Sequence, residues 1–95
     1  MTVKVLVKRV VPKEKEGELL VLIKELRGLT TRQPGYVSGE TYRRIDDPGE
    51  NLVISTWQSL QDWENWFGSR ERAVIQDRID ALLGKTTTPI VYGYF

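Results

Sequence analysis

Val3, Val5 and Val7 alternate with Lys4, Leu6 and Lys8 at the start of the chain. This β-branched run with a period of two predicts a strand over residues 2–11, closed by Pro12. The period then changes. Leu19, Leu22, Ile23, Leu26 and Leu29 recur at the spacing of one helix face, so a helix is predicted from Lys13 to Leu29. Glu14, Glu16 and Glu18 suit its N-terminal end, where the helix dipole favours negative charge. Gln33-Pro34-Gly35 reads as a turn. Tyr36 to Ile45 reads as a second strand and Leu52 to Trp57 as a third, joined by the Asp46-Asp47-Pro48-Gly49 turn into a hairpin.

Ser59 is placed to cap a second helix, with Asp62 three residues on. In that helix Leu60, Trp63, Trp66 and Phe67 fall within a stripe roughly 120° wide. Gly68 breaks it, and Ser69 caps a continuation to Leu83, with Ile75, Ile79, Leu82 and Leu83 inward and Gly84 as C-cap. Thr86 to Phe95 is the last strand, with Pro89 marking an edge or a bulge near its start. The order β-α-β-β-α-β, with a broken second helix, is the ferredoxin-like pattern of an α+β fold with an antiparallel sheet. The 95 residues form a single domain, 1–95, without repeats or linkers.

In such a fold the helices cover one face of the sheet, and the other face should turn polar. The third strand does not follow this: Leu52 and Ile54 lie on one parity, Val53 and Trp57 on the other. The fourth repeats it, with Ile90, Tyr92 and Tyr94 against Val91 and Phe95. A sheet apolar on both faces with one helical layer needs a second cover. The expectation is a homodimer packed sheet against sheet.

Composition narrows the chemistry. There is no histidine and no cysteine, which removes the commonest general base, haem ligand, thiolate nucleophile and sulfur-bound metal site. No metal site is expected without them. The formal net charge of +1 gives no reason to expect nucleic acid or an anionic membrane as partner. No apolar run is long enough to span a bilayer, and the charged N-terminal stretch does not resemble a signal peptide, so a cytoplasmic protein is expected. No glycine-rich phosphate loop occurs.

The strand LVISTWQS running into WENWFGS, preceded by PGY and a hairpin at DDPG, resembles the antibiotic biosynthesis monooxygenase family. The resemblance covers nearly the whole chain, and its most specific piece is TWQS at 56–59. It implies subunits that pair into a dimeric α+β barrel. It also implies oxidation by molecular oxygen without a cofactor, acting on a small electron-rich aromatic or quinol-like molecule. Other members of the family degrade haem. In that subgroup a strand-one asparagine, a helix tryptophan and a helix histidine form the site. Trp66 matches the tryptophan, Gln76 stands at the histidine position, and Lys8 is nearest to the missing asparagine, so haem is not expected. In the cofactor-free members an asparagine, a tryptophan and an arginine bind and activate the substrate. Asn65, Trp66 and Arg72 are residues of those types here.

Each candidate also has a structural reading. Trp63 and Phe67 share the Trp66 stripe and serve as core or as substrate wall. Trp57 packs either at the dimer interface or under the helices. Arg72 projects to the same side as Ile75 and Ile79, where it either reaches solvent past the helix end or rims a cavity. Gln76 lies one turn on. With both inward, the pair would hold an enolate or phenolate oxygen. Tyr42 is a further candidate on a strand that walls such a pocket, beside Tyr36, Tyr92 and Tyr94. The competing functional reading is a non-catalytic dimeric ligand-binding or assembly module, in which the aromatics are filled core.

Overall fold

The computed structural model describes all 95 residues, Met1–Phe95. Strand β1 (Val3–Val10) leads through a turn of 3-10 helix at Lys13–Lys15 into α1 (Glu16–Thr30). The hairpin of β2 (Tyr36–Arg43) and β3 (Glu50–Trp57) follows, then α2 (Leu60–Phe67), α3 (Arg70–Leu83) and β4 (Ile90–Gly93). The four strands form one sheet in the order β2-β3-β1-β4, and every neighbouring pair is antiparallel. This is the α+β, ferredoxin-like arrangement that the periodicities predict. The first helix starts later than Lys13 because its opening turn is wound as 3-10 helix. The last strand is shorter than Thr86 to Phe95, since only residues 90–93 find partners, all on β1.

Register assigns the faces. Val3, Val5, Val7 and Arg9 of β1 pair with Trp57, Ser55, Val53 and Asn51 of β3 on the helix side. Lys4, Leu6, Lys8 and Val10 pair with Thr56, Ile54, Leu52 and Glu50 on the open side. A bulge between Tyr36 and Ser38 resets β2, so that Tyr36 and Gly39 both lie on the helix side, opposite Trp57 and Ser55.

The core on the helix side falls into two clusters. Val3, Val5, Trp57, Trp63 and Trp66 form one, and Val11, Leu19, Ile75 and Ile79 the other. Leu26 and Leu29 of α1 touch both. Trp57 is fully buried beneath the helices, which decides between the two places open to it. The opposite face carries Leu6, Leu52, Ile54, Ile90, Tyr92 and Tyr42 with no helix over them.

Two turns depend on their glycines. Gly84 ends α3 in the left-handed region at φ 67°. Gly35 lies at φ 84°, and its carbonyl accepts from the Gln58 N–H at 2.8 Å, which ties the start of β2 to the end of β3. A methyl group on Gly35 would overlap the Asp62 side chain. Gly35→Ala is therefore expected to cost about 1–3 kcal/mol. Gly28→Ala, in the last turn of α1 with open space around it, should instead stabilise by about 0.4–1 kcal/mol. Urea melts of both variants against the parent measure the two signs.

Candidate active-site cavity

Beside the tryptophan-containing core cluster lies a cavity of about 270 Å³, roofed by α1, α2 and α3 and floored by β1, β2 and β3. Its apolar wall includes Val5, Val7, Trp57, Trp63 and Trp66. Tyr36 stands edge-on to Trp57 with ring centres 5.5 Å apart, and Trp57 edge-on to Trp63 at 5.6 Å. The Tyr36 hydroxyl lies against Gly39, where a β-carbon would come within 2.6 Å of it. The bare backbone at Gly39 is thus what lets this ring lie along the floor.

The polar end is built by the break between α2 and α3. Ser59 caps α2, accepting from the Asp62 N–H at 3.1 Å. The helix stops at Gly68, and Ser69 caps α3 by accepting from the Arg72 N–H at 3.2 Å. That places Arg72 in the first turn of α3, facing back over α2. Its guanidinium carbon sits 4.6 Å from the Phe67 ring centre and 5.9 Å from that of Trp63, a cation–π arrangement. The side chain is buried rather than snorkelling past the helix end. Gln76, one turn on, is also buried and donates to Asp80 Oδ1 at 2.8 Å. The same oxygen accepts from the Thr87 N–H at 3.1 Å and the Thr87 hydroxyl at 2.9 Å, pinning the segment before β4 to α3.

Of the residues predicted for the site, the fold brings Trp63, Trp66, Arg72 and Gln76 together on the cavity wall. Phe67 lies just outside, half exposed, stacking on Trp63 and Arg72. Asn65 does not belong to the site: it faces solvent on α2, where its side-chain oxygen accepts from Gln61 at 2.9 Å. Positions 63, 66 and 67 take the inward stripe, and a helix turns position 65 away from it. Tyr42 is a second correction. It pairs with Leu52 on the sheet face away from the helices, one register step from the inward Thr41. It borders a larger groove of about 640 Å³ at the charged end of the molecule, where Arg43 meets Glu16 at 2.9 Å.

One lining residue escaped the reading of the sequence. Arg9 is 8% exposed, and its Nε is buried without any acceptor. Its signal was present, because position 9 continues the inward parity of Val3, Val5 and Val7. Burial, then the nearby Arg72 charge, pushes the Arg9 guanidinium down to about 10, with Asp80 pulling the other way. Burial also lowers Arg72, opposed by Asp80. Both stay charged at neutral pH. A folded value below the unfolded one means that the charged form resists folding, fully at pH 7 and with relief only above about 10.

No cluster of acidic, histidine or cysteine side chains is placed to hold a metal ion. The lining offers haem iron no histidine, cysteine or methionine, and the hydroxyl of its one tyrosine, Tyr36, lies against Gly39, so the residues present do not fit that group. No helix is long and apolar enough to cross a membrane.

A family model described as antibiotic biosynthesis monooxygenase matches residues 2–78. A conserved protein from Methanosarcina mazei Go1 superposes with a TM-score of 0.90 at 21% identity, over 100% of this chain and 94% of that one. A protein from Mycobacterium tuberculosis gives 0.85 at 18% identity, over 100% of this chain and 96% of that one. A variant of SnoaB, a cofactor-independent oxygenase from Streptomyces nogalater, gives 0.85 at 16% identity, over 98% of this chain and 92% of that one. Identities this low carry the fold and not the chemistry. No curated protein matches the chain by sequence.

Asp80 anchors both Gln76 and the segment leading to β4. Asp80→Ala is expected to lower stability by about 1.5–3 kcal/mol, in line with hydrogen bonds to a charged acceptor. Guanidinium-chloride melts measure the loss. A change below 0.5 kcal/mol would mean that Asp80 does not hold this end of the fold.

Proposed function

The chain belongs to the antibiotic biosynthesis monooxygenase family, and on that premise we propose that it oxidises a small electron-rich aromatic or quinol-like molecule with molecular oxygen, without a cofactor. The observation that carries this reading is the pairing of an indole wall with a buried guanidinium. Trp63 and Trp66 line one side of the cavity, and Arg72 faces into it. A flat ring lying against the indoles would place its ionised oxygen at Arg72. A phenolate or enolate there is rich enough in electrons to reduce oxygen directly. One oxygen atom ends as a carbonyl on the ring. The other leaves as water with two hydrogens of the substrate, so no outside reductant is required.

The protein's part is to bind the anion and keep bulk water from it. Arg72 is a fixed donor buried in the cavity wall, where its attraction for developing negative charge is stronger than in water. The lining includes no carboxylate and no histidine. Substrate deprotonation therefore draws on the substrate's own acidity, which Arg72 increases by favouring the anion. The volume, about 270 Å³, falls below the ~300–1,000 Å³ of sites for drug-sized ligands. This suits one or two fused rings. An open cavity also weighs against the binding-module reading in its filled-core form.

We propose further that the working unit is a homodimer joined through the open sheet face. Leu6, Leu52, Ile54 and Ile90 share that face, and a contiguous apolar patch on one side of a small domain calls for a partner surface. Light scattering of the parent should give twice the subunit mass. Ile54→Lys should shift it to monomer.

Activity has its own test. Oxygen-electrode assays on a panel of naphthols, anthrones and hydroquinones should show uptake above buffer for some member. Arg72→Gln should then lower kcat by about 10²–10³, the usual cost of one anion-stabilising donor, while melting at or above the parent temperature. Trp66→Phe is a poorer probe, because Trp66 belongs to the buried core cluster and its replacement costs stability under any reading. Uptake at the buffer rate across the panel would sink the oxidative reading.

A further inference from the structure

The cavity has more positive charge than a phenolate needs. Arg9, Arg27 and Arg72 line it, and no aspartate or glutamate does. Arg27 sits at the exposed rim, where it donates to the Thr41 hydroxyl at 3.1 Å. The other two are buried, and neither takes part in any of the three ion pairs of the molecule, which join Arg43 to Glu16 and Arg44 to Asp46 and Glu50. Asp80 is the carboxylate whose field reaches both. Its Oδ1 already accepts from Gln76 and twice from Thr87.

Such an arrangement works against folding. Two like charges lie near one another in a partly dry site, and one guanidinium nitrogen is sealed from solvent without an acceptor. Arg72 also lies in the first turn of α3, where the helix dipole disfavours a cation. An apolar residue at position 9 would simply continue the valine face of β1. A residue that strains the fold where an ordinary one would serve it points to function. A buried arginine presents its planar fork to carboxylates, which it binds through paired hydrogen bonds.

Resting on the oxidative reading above, we infer that the ligand is an aromatic hydroxy acid: a one- or two-ring molecule whose carboxylate seats on Arg9 while its ionisable ring oxygen faces Arg72. The carboxylate supplies the counter-charge that Asp80, engaged by Gln76 and Thr87, gives only in part. Arg9 thereby selects among phenols, which Arg72 and the indole wall alone would not do.

The test compares 6-hydroxy-2-naphthoate, whose hydroxyl is out of reach of its own carboxylate, with its methyl ester, which keeps the ring and hydroxyl and loses the charge. Binding is read by tryptophan fluorescence, supported by calorimetry. The parent should bind the acid at least tenfold more tightly than the ester. Arg9→Met should abolish that preference while leaving the affinity for the ester within about twofold, and Arg9→Lys should retain part of it. Without ligand, Arg9→Met should melt at the same temperature as the parent or higher. The acid should raise the melting temperature of the parent and not that of the variant.

Equal binding of acid and ester by the parent would overturn the inference. So would an Arg9→Met protein that melts lower and loses both ligands together, since that describes a structural arginine. Equal protection by inorganic phosphate would show an anion site with no use for the ring, and would overturn it as well. The two proposals fail separately. Tight, Arg9-dependent binding of the acid with no oxygen uptake removes the oxidative reading alone. Uptake on neutral phenols with no preference for the acid removes the carboxylate alone.

Discussion

The Trp57 indole sits where β1, β2 and α2 meet at the wall of the cavity. It is the last residue of β3 and is fully buried. Tyr36 meets it edge-on from β2, Trp63 from α2, and Val3 pairs with it from β1. Edge-to-face contacts hold rings at set angles as well as set distances, so this cluster fixes the direction in which α2 leaves the sheet. The chain covers the short span from Trp57 to Leu60 with Ser59 as cap, and the orientation of α2 then decides where its broken end at Gly68 falls. Arg72 inherits its position from that break.

The cavity follows from how little core this chain has. Two clusters of five and four buried apolar residues do not merge. Leu26 and Leu29 bridge them along α1, and Leu26 also borders the candidate site. Four of the thirteen buried residues are polar or charged, and three of them, Arg9, Arg72 and Gln76, line this space. A domain of this size has little stability to spare. Two guanidiniums that Asp80 offsets only in part are a cost to folding, and in the proposed role they serve binding at that expense, the usual trade-off at functional sites.

Much of the fold was legible because its signals are local. Ser59, Ser69 and Gly84 each occupy the cap their residue type favours. The leucine stripe of α1 and the alternation of β1 run at the expected periods. Helical spacing reports the inward residues of each helix: Trp63 and Trp66 share a face of α2, Arg72 and Gln76 a face of α3, and all four line one cavity. Asn65 and Tyr42 were misplaced for opposite reasons. Asn65 was taken by residue type against its own helical angle. Tyr42 depended on a bulge at Tyr36–Ser38 that resets the parity of β2, and no alternation pattern reports such a reset. Arg9 was overlooked because a charged residue at the end of a strand reads as solvent-facing unless the parity is carried through.

By itself the sequence determined the α+β order, the helix breaks, the absence of histidine and thiol chemistry, and the aromatic stripe that marks one face of α2. These depend on residues within a few positions of one another, whose preferences act before any long-range contact forms. Only the tertiary structure decided that Trp57 lies under the helices and that a cavity stays open beside its cluster. It alone placed Arg9, sixty-three positions before Arg72 in the chain, in the same enclosed space. Burial and electrostatic coupling between such residues exist only after the sheet and helices have closed around them, because desolvation is a property of the assembled surroundings and not of a residue type.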